Sequence, residues 1–309
     1  MMASIRPFRF SVVAENAQSP QDWLTKARRV EALGYSTLLV ADHLGFSIDP
    51  IVGLMAAAAA TSLRIGSHVF CNDFRHPLLL ARQVADLDRF SEGRFQFGFG
   101  CGYLASEYEQ AGIPLDPPGV RLARFAEALH IVKTYFQQEQ VTFAGNYYQV
   151  KGLKASVKPL QKPYPPIYIG GGGRRVLSLA AREADIVGLV ARNNARGLDW
   201  STALPAANRE KLTWIREAAG ERFSHLELSA TIFIAVPSDH PAGVAQQLGG
   251  RLGLSAQQTL DCMQILVGSV DQMVDELQKR RELFGVSCVE VTEAHMEALA
   301  PVVARLAGR

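Results

Sequence analysis

Cysteine is scarce. Cys71, Cys101, Cys262 and Cys288 are scattered over 309 residues with no C-x-x-C pair. A disulfide-built scaffold is therefore excluded, and reduced thiols in a cytoplasmic protein are the expectation. Long apolar runs are also missing: the alanine-rich stretch 54–60 is far shorter than the roughly 20 residues that cross a bilayer. The stretch from Met1 to Phe10 holds no apolar segment of the secretory kind, so no leader is expected there. Charge of one sign never accumulates. Thirty-two Lys and Arg stand against 30 Asp and Glu, a net charge of +2, which argues against nucleic acid or an anionic membrane as partner. His43, His68 and His76 lie on separate segments without paired spacing, so no metal site is expected. No G-x-S-x-G nucleophile elbow occurs either.

What is present suits a large α/β core. Hydrophobic residues make up 48% and charged residues 20% of the chain, and the length is normal for a single α/β barrel. Short apolar runs alternate with amphipathic ones. Strands are expected at 8–13, 36–40, 63–70, 95–100, 167–169, 185–189, 226–236 and 287–291. Helices are expected from Ser19-Pro20, with Ser as cap and Pro in the first turn, over 50–61, from Pro77 to Ser91, over 120–137, after Arg175, over 208–219, from Ser269 to about Phe284 and over 294–306. Ser269 with Gln272 three residues on has the form of a capping box. Val141-Thr142-Phe143 and Tyr147 to Val150 read as a small hairpin, 192–207 as a loop, and 239–263 as helical pieces. Eight strand-then-helix units without a composition break predict one (β/α)8 TIM barrel over 1–309, with insertions at about 139–165 and 192–265. An open doubly wound sheet is the alternative.

The most distinctive stretch is Pro165-Pro166-Ile167-Tyr168-Ile169-Gly170-Gly171-Gly172-Gly173-Arg174-Arg175. A buried strand runs into four glycines, two arginines and a helix. Bare backbone at a helix N-terminus attracts an anion, and Arg174 or Arg175 can add a charge-assisted contact. The run lacks the Lys-Ser/Thr ending of a P-loop and the spacing of a dinucleotide fingerprint. A glycine-rich turn without ligand is the competing reading.

In a barrel, chemistry gathers at the C-terminal ends of strands. His43 is there, a general acid or a core histidine paired to Asp42. Asp42 is a cofactor acceptor or a helix cap. His68 and Cys71 contact a ring or belong to the core. Gly100-Cys101-Gly102 admits a ligand to the backbone or makes a tight turn, and Glu107 and Tyr108 are site groups or, for Glu107, a cap.

These residues together resemble the bacterial luciferase-like superfamily, in its coenzyme F420-dependent branch. The resemblance is carried by Ala41-Asp42-His43, by Leu63-Arg64-Ile65-Gly66 to Arg75-His76-Pro77, and by Ser91-Glu92-Gly93-Arg94-Phe95 leading to Gly98-Phe99-Gly100-Cys101-Gly102-Tyr103. It continues through Arg121 to Leu129, Phe143 to Tyr148 and Pro166 to Gly172. It implies a luciferase-like barrel, often a homodimer, with a deazaflavin or flavin over the strand ends. It implies further that Asp42 binds the deazaflavin, that His43 acts near its reactive face, and that a non-proline cis peptide falls near His68-Val69 on strand three. Cys71 and Ser106 match ring or tail contacts, and Gly170 to Val176 match the phosphate loop. Where F420-dependent sugar-phosphate dehydrogenases carry Glu, this chain has Tyr103, so a sugar phosphate is discounted, and Tyr103 either donates a proton or stacks on substrate. Two enzyme readings follow: an F420-dependent oxidoreductase acting on a small organic molecule, and an FMN-dependent monooxygenase. A third is a relative that binds cofactor without turnover. Trp200, Trp214 and Phe233 line the substrate pocket or pack in the core.

Overall fold

Strand β1 is Arg9–Ala14, β2 Thr37–Val40, β3 Arg64–Ser67, β4 Phe95–Gly100, β5 Ile167–Gly171, β6 Ile186–Leu189, β7 Glu227–Ile232 and β8 Val286–Thr292. They are seen in a computed structural model that describes residues 6–194 and 197–309. The readings of Met1 to Phe10 and of the loop at 192–207 fall partly on residues 1–5 and 195–196, which lie outside the described residues. Strand order is β3-β2-β1-β8-β7-β6-β5-β4, and β3 also pairs with β4. This is the eight-strand parallel (β/α)8 barrel anticipated from the strand count. Almost every strand residue is buried, as expected where helices cover a parallel sheet.

The helices are α1 Pro20–Ala32, α2 Pro50–Ala60, α3 Pro77–Phe90, α4 Ala105–Ala111, α5 Pro118–Gln137, α6 Arg174–Glu183, α7 Pro205–Ala219, α8 Pro241–Leu252, α9 Ala256–Asp261, α10 Val270–Phe284 and α11 Met296–Leu306. Six of them start on proline, whose fixed φ suits a first turn and whose missing N–H is not needed there. The Ser269–Gln272 capping box is present with both of its bonds.

Packing divides the chain into two compact units: Met1–Ala14, Arg28–Leu38 and Ile169–Arg309 form one, Glu15–Ala27 and Leu39–Tyr168 the other. In the first unit β1 pairs with β8 from Arg9–Cys288 to Val13–Thr292, and β7 lies between β8 and β6. Its interior holds a carboxylate. Fully buried Glu290 accepts from Ser229 Oγ at 2.6 Å and Thr231 Oγ1 at 2.7 Å.

In the second unit the sequence Phe-Gln-Phe-Gly-Phe-Gly of β4 sorts its residues by strand alternation. Phe97 and Phe99 stack 5.1 Å apart, and Phe99 meets Phe125 of α5 edge-on at 4.8 Å. Of the alternate positions, Gly98 is glycine because β3 crowds it, a Cβ there lying 1.9 Å from the Ser67 carbonyl oxygen, and Gly100 because Val69 does. The hairpin Gln140–Ala144 with Gln149–Lys154 is fastened to α5 by Glu127, whose carboxylate accepts the N–H groups of Asn146, Tyr147 and Tyr148 at 2.8–3.2 Å.

Several expectations are corrected. The third strand is not continuous to Phe70. It stops at Ser67, and a two-residue strand Phe70–Cys71 resumes against Phe99 and Gly100; the peptide between them, His68–Val69, is cis, at the place the resemblance implies. The seventh strand stops at Ile232, because Phe233 N–H donates to the Gln264 carbonyl, and Ile234–Pro237 instead pairs with Ile265–Gly268 in a separate parallel pair. The described part of 192–207 is not featureless: Arg192–Asn194 pairs with Gly197–Asp199, a 3-10 turn follows at Trp200–Ala203, and α7 starts at Pro205 rather than 208. Helix α4 was not foreseen.

Candidate active site

Asp42 and His43 follow β2 directly, and α4 follows the turn after β4. These segments meet in the second unit. Glu107, buried on α4, places both carboxylate oxygens 3.0–3.1 Å from His43 Nδ1. The carboxylate fixes the tautomer: Nδ1 carries the hydrogen, and Nε2 is left as the atom that takes or gives a proton. His43 is therefore not paired to Asp42, the alternative raised from the sequence. Asp42 is engaged by Arg75 through both oxygens, at 2.5 and 3.0 Å, and also accepts the Cys71 N–H at 2.9 Å. A buried carboxylate is costly unless it is paired or fully hydrogen-bonded, and here the pair anchors the backbone at Cys71.

Phe46 and Tyr103 stand edge-on to the His43 ring at 4.9 and 5.9 Å. Tyr103 is half exposed. Partial desolvation, aided by the carboxylates of Glu107 and Glu15, pushes its phenol above the usual tyrosine range. It is thus a hydrogen-bond donor at neutral pH, not a base.

Next to this lies a polar network. Tyr108 donates to Asp73 at 2.9 Å, Arg124 grips the same carboxylate at 2.8 and 2.9 Å, and Arg124 also reaches Asp116 at 2.6 Å. The buried Cys71 Sγ is 3.5 Å from the Tyr108 hydroxyl, and burial pushes its thiol up to about 11. Cys101 is partly exposed, and its thiol is likewise raised by desolvation. Arg121 has no carboxylate partner among the described residues; buried on α5, it donates to the Asp116 carbonyl at 3.3 Å.

The glycines here have internal reasons. Gly102 has φ +70°, and a Cβ there would lie 1.8 Å from the Tyr108 hydroxyl, while one on Gly100 would lie 2.7 Å from Val69 Cγ2. His68 Nε2 is 3.2 Å from the Tyr168 hydroxyl. Ser106 is exposed on α4. Of the residues expected at a site, Asp42, His43, Cys71, Gly102 and Tyr103 are linked through contacts with Glu107 and Tyr108 or with one another, while His68 and Ser106 share the same unit.

Gly170–Arg175 belongs to the first unit. Gly172 packs on backbone, its Cβ position lying 2.7 Å from the Val190 carbonyl oxygen and 2.8 Å from Arg192 N. Gly173 caps α6 with no side-chain acceptor, in contrast to Asp49 on α2 and Ser269 on α10, and no atom lies within 4 Å of where its Cβ would be. The first N–H groups of α6 thus keep a bare, open approach, a donor set that fits an anion. Arg174 and Arg175 are exposed, Arg174 lying 3.6 Å from Glu217. Sequence reasoning missed two neighbours. Arg192 donates from Nε to the Gly172 carbonyl at 3.1 Å and lies over Trp214. Buried Lys211 donates to the Val190 and Thr202 carbonyls at 2.8 and 2.7 Å, its pKa pushed down to about 8 by burial and by Arg192. Trp200 and Phe233 meet edge-on, and Trp200 packs against the core around Cys262 and Ile265. A cavity of about 390 Å³ beside Phe8, Arg9, Ser36 and Glu227 contains none of the expected site residues.

Among the described residues no group of three or more His, Cys, Asp or Glu is arranged to hold a metal. No helix among the described residues is long and apolar enough to cross a membrane.

Residues 2–247 match the sequence model of luciferase-like monooxygenases. Protein y4vJ of Sinorhizobium fredii is 32% identical over 158 residues, covering 50% of this chain and 44% of that protein, so the chain spans less than half the relative's length. The coenzyme F420-dependent tetrahydromethanopterin reductase of Methanopyrus kandleri has TM-score 0.76 at 19% identity, over 97% of this chain and 99% of that one. A riboflavin lyase solved with modified FMN and riboflavin has TM-score 0.75 at 15% identity, over 98% and 93%.

Proposed function

The chain belongs to the luciferase-like monooxygenase family, and from that premise we propose that it is a coenzyme F420-dependent oxidoreductase acting on a small organic substrate. When bound, the deazaflavin supplies or accepts a hydride at its C5. The protein must then handle the matching proton, and the observation that carries the reading is the His43–Glu107 pair. With Nδ1 held by Glu107, His43 Nε2 exchanges the proton with the substrate oxygen or nitrogen. Tyr103 beside it stays protonated and orients the same substrate atom by donation.

Asp42 contributes by fixing the Cys71 backbone, in the segment with His68 and Val69. Gly100, Cys101 and Gly102 are proposed as cofactor contacts through their backbone, Ser106 as a contact to its ring or tail, and Gly170, Gly171, Gly172, Gly173, Arg174 and Arg175 as the holders of a phosphate. The uncapped N-terminus of α6 supports the latter assignment. A homodimer is proposed with the family reading. The alternative, an FMN-dependent monooxygenase, draws on the same family and on the flavin-bound neighbour.

The test follows F420 absorbance with a panel of secondary alcohols and enones, and oxygen uptake with reduced FMN in parallel. Substrate-dependent change in F420, reduced about 10²-fold or more in kcat by His43→Ala, is expected. Oxygen uptake with FMN and no change in F420 would overturn the proposal.

A further inference from the structure

The surroundings of His43 are apolar where they face solvent. Leu44, the residue after His43, is 52% exposed, while Tyr103 and Leu104 are 51% and 37% exposed. Phe46 completes the group through its edge contact with His43. Two separate segments supply them. The turn after β2 is closed by the bond from Phe46 N–H to the His43 carbonyl, and the start of α4 by the bond from Glu107 N–H to the Leu104 carbonyl. Leu44 and Leu104 are exposed and adjoin in sequence His43 and its ring neighbour Tyr103, and large apolar side chains left in water are costly unless something covers them in use.

The charged groups beside them are already engaged. Asp42 holds Arg75, Glu107 holds His43, and Asp73 and Asp116 hold Arg124. Arg121 is buried on α5 and is not part of the exposed face. An anionic ligand at this face would lose water and meet the carboxylates of Glu107 and Glu15 that act on Tyr103, whereas an apolar one removes exposed carbon from water.

Resting on the reading of His43 as the proton-exchanging residue, we infer that Leu44, Phe46, Tyr103 and Leu104 form the specificity face for the substrate. The face selects an uncharged molecule with an aromatic or bulky apolar group next to the carbonyl, alcohol or imine that meets His43. An aromatic ring is the best fit, because Phe46 and Tyr103 offer edge and face contacts.

The experiment measures binding of acetophenone and of 4-acetylbenzoate to the full chain by saturation-transfer NMR, for the wild type, Leu44→Ser, Leu104→Ser and the double variant. F420 affinity is measured on the same samples. Both leucines are exposed, so the variants keep the fold, checked by circular dichroism. Acetophenone is expected to bind about tenfold more tightly than 4-acetylbenzoate, and the double variant to weaken acetophenone about tenfold with F420 affinity unchanged. Equal binding of the two ketones, or wild-type acetophenone affinity in the double variant, would overturn the inference while leaving the cofactor reading intact. Failure of the wild type to bind F420, with the ketone discrimination retained, would sink the cofactor reading and support the apolar face.

Discussion

Replacing Gly102 by alanine asks whether the turn after β4 holds the site's polar network in place. Two terms add. At φ +70° an alanine costs about 1–2 kcal/mol in backbone strain. The new Cβ would also lie 1.8 Å from the Tyr108 hydroxyl, so the hydroxyl must leave Asp73, its acceptor at 2.9 Å. Tyr108 is 1% exposed and finds no water in exchange, so losing a bond to a charged group costs about 1.5–3 kcal/mol. The sum is about 3–5 kcal/mol, or roughly 6–10 °C in melting temperature at about 2 °C per kcal/mol. Gly112 is the internal control: its φ is +67° but nothing lies within 4 Å of its Cβ position, so Gly112→Ala carries only the backbone cost of about 1–2 kcal/mol. Differential scanning calorimetry of both variants, with Tyr108→Phe and the double variant Gly102→Ala/Tyr108→Phe, separates the terms. The double variant should lose less than the two single losses combined, because removing the hydroxyl relieves part of the clash. Equal melting temperatures for the two glycine variants would refute the assignment of Gly102 to the Tyr108 contact.

Other consequences follow from the same contacts. Asp42→Asn leaves the Arg75 guanidinium partly buried without its carboxylate and should cost about 3 kcal/mol in denaturant unfolding, the low end of the range because Arg75 keeps some contact with water; an unchanged midpoint would contradict the pairing. Ser269→Ala removes one half of the capping box and should cost about 1 kcal/mol, read as a shift in the same midpoint. Lys211 is expected to make stability rise with pH. Its folded pKa is lowered to about 8 from 10.5, so between those values the unfolded chain binds more protons. The penalty of about 3 kcal/mol is complete below pH 8 and gone above 10.5. The wild-type stability curve minus that of Lys211→Met should carry this slope, and a flat difference would remove the effect.

How legible the molecule is in its sequence depends on whether the deciding partner is local. Helix starts at Pro20, Pro50 and Pro77, the Ser269 box and the alternation of β4 were all readable, because each rests on neighbours within a few residues. The residue pattern alone hides the break after Ser67, since His68-Val69-Phe70 reads on as strand; the cis peptide there is signalled by the family resemblance and not by periodicity. Helix α4 has seven residues and too little period to announce itself. The candidate site shows the same division. His43 and Asp42 were found by their place after β2, but their partners Glu107 and Arg75 stand 64 and 33 residues away in sequence. Nothing in the composition joins them, so from the sequence His43 reads as a general acid or as a core histidine paired to Asp42, and Glu107 as a site group or cap.

Titration of the purified protein with F420 and, separately, with FMN, followed by protein fluorescence, tests the central claim most directly. The account predicts saturable quenching by F420 at markedly lower concentration than by FMN, weakened when Gly173 is replaced by aspartate, whose carboxylate would occupy the first-turn N–H groups of α6 and repel the phosphate. Tight binding of FMN with none of F420, or F420 affinity unmoved by Gly173→Asp, would contradict it.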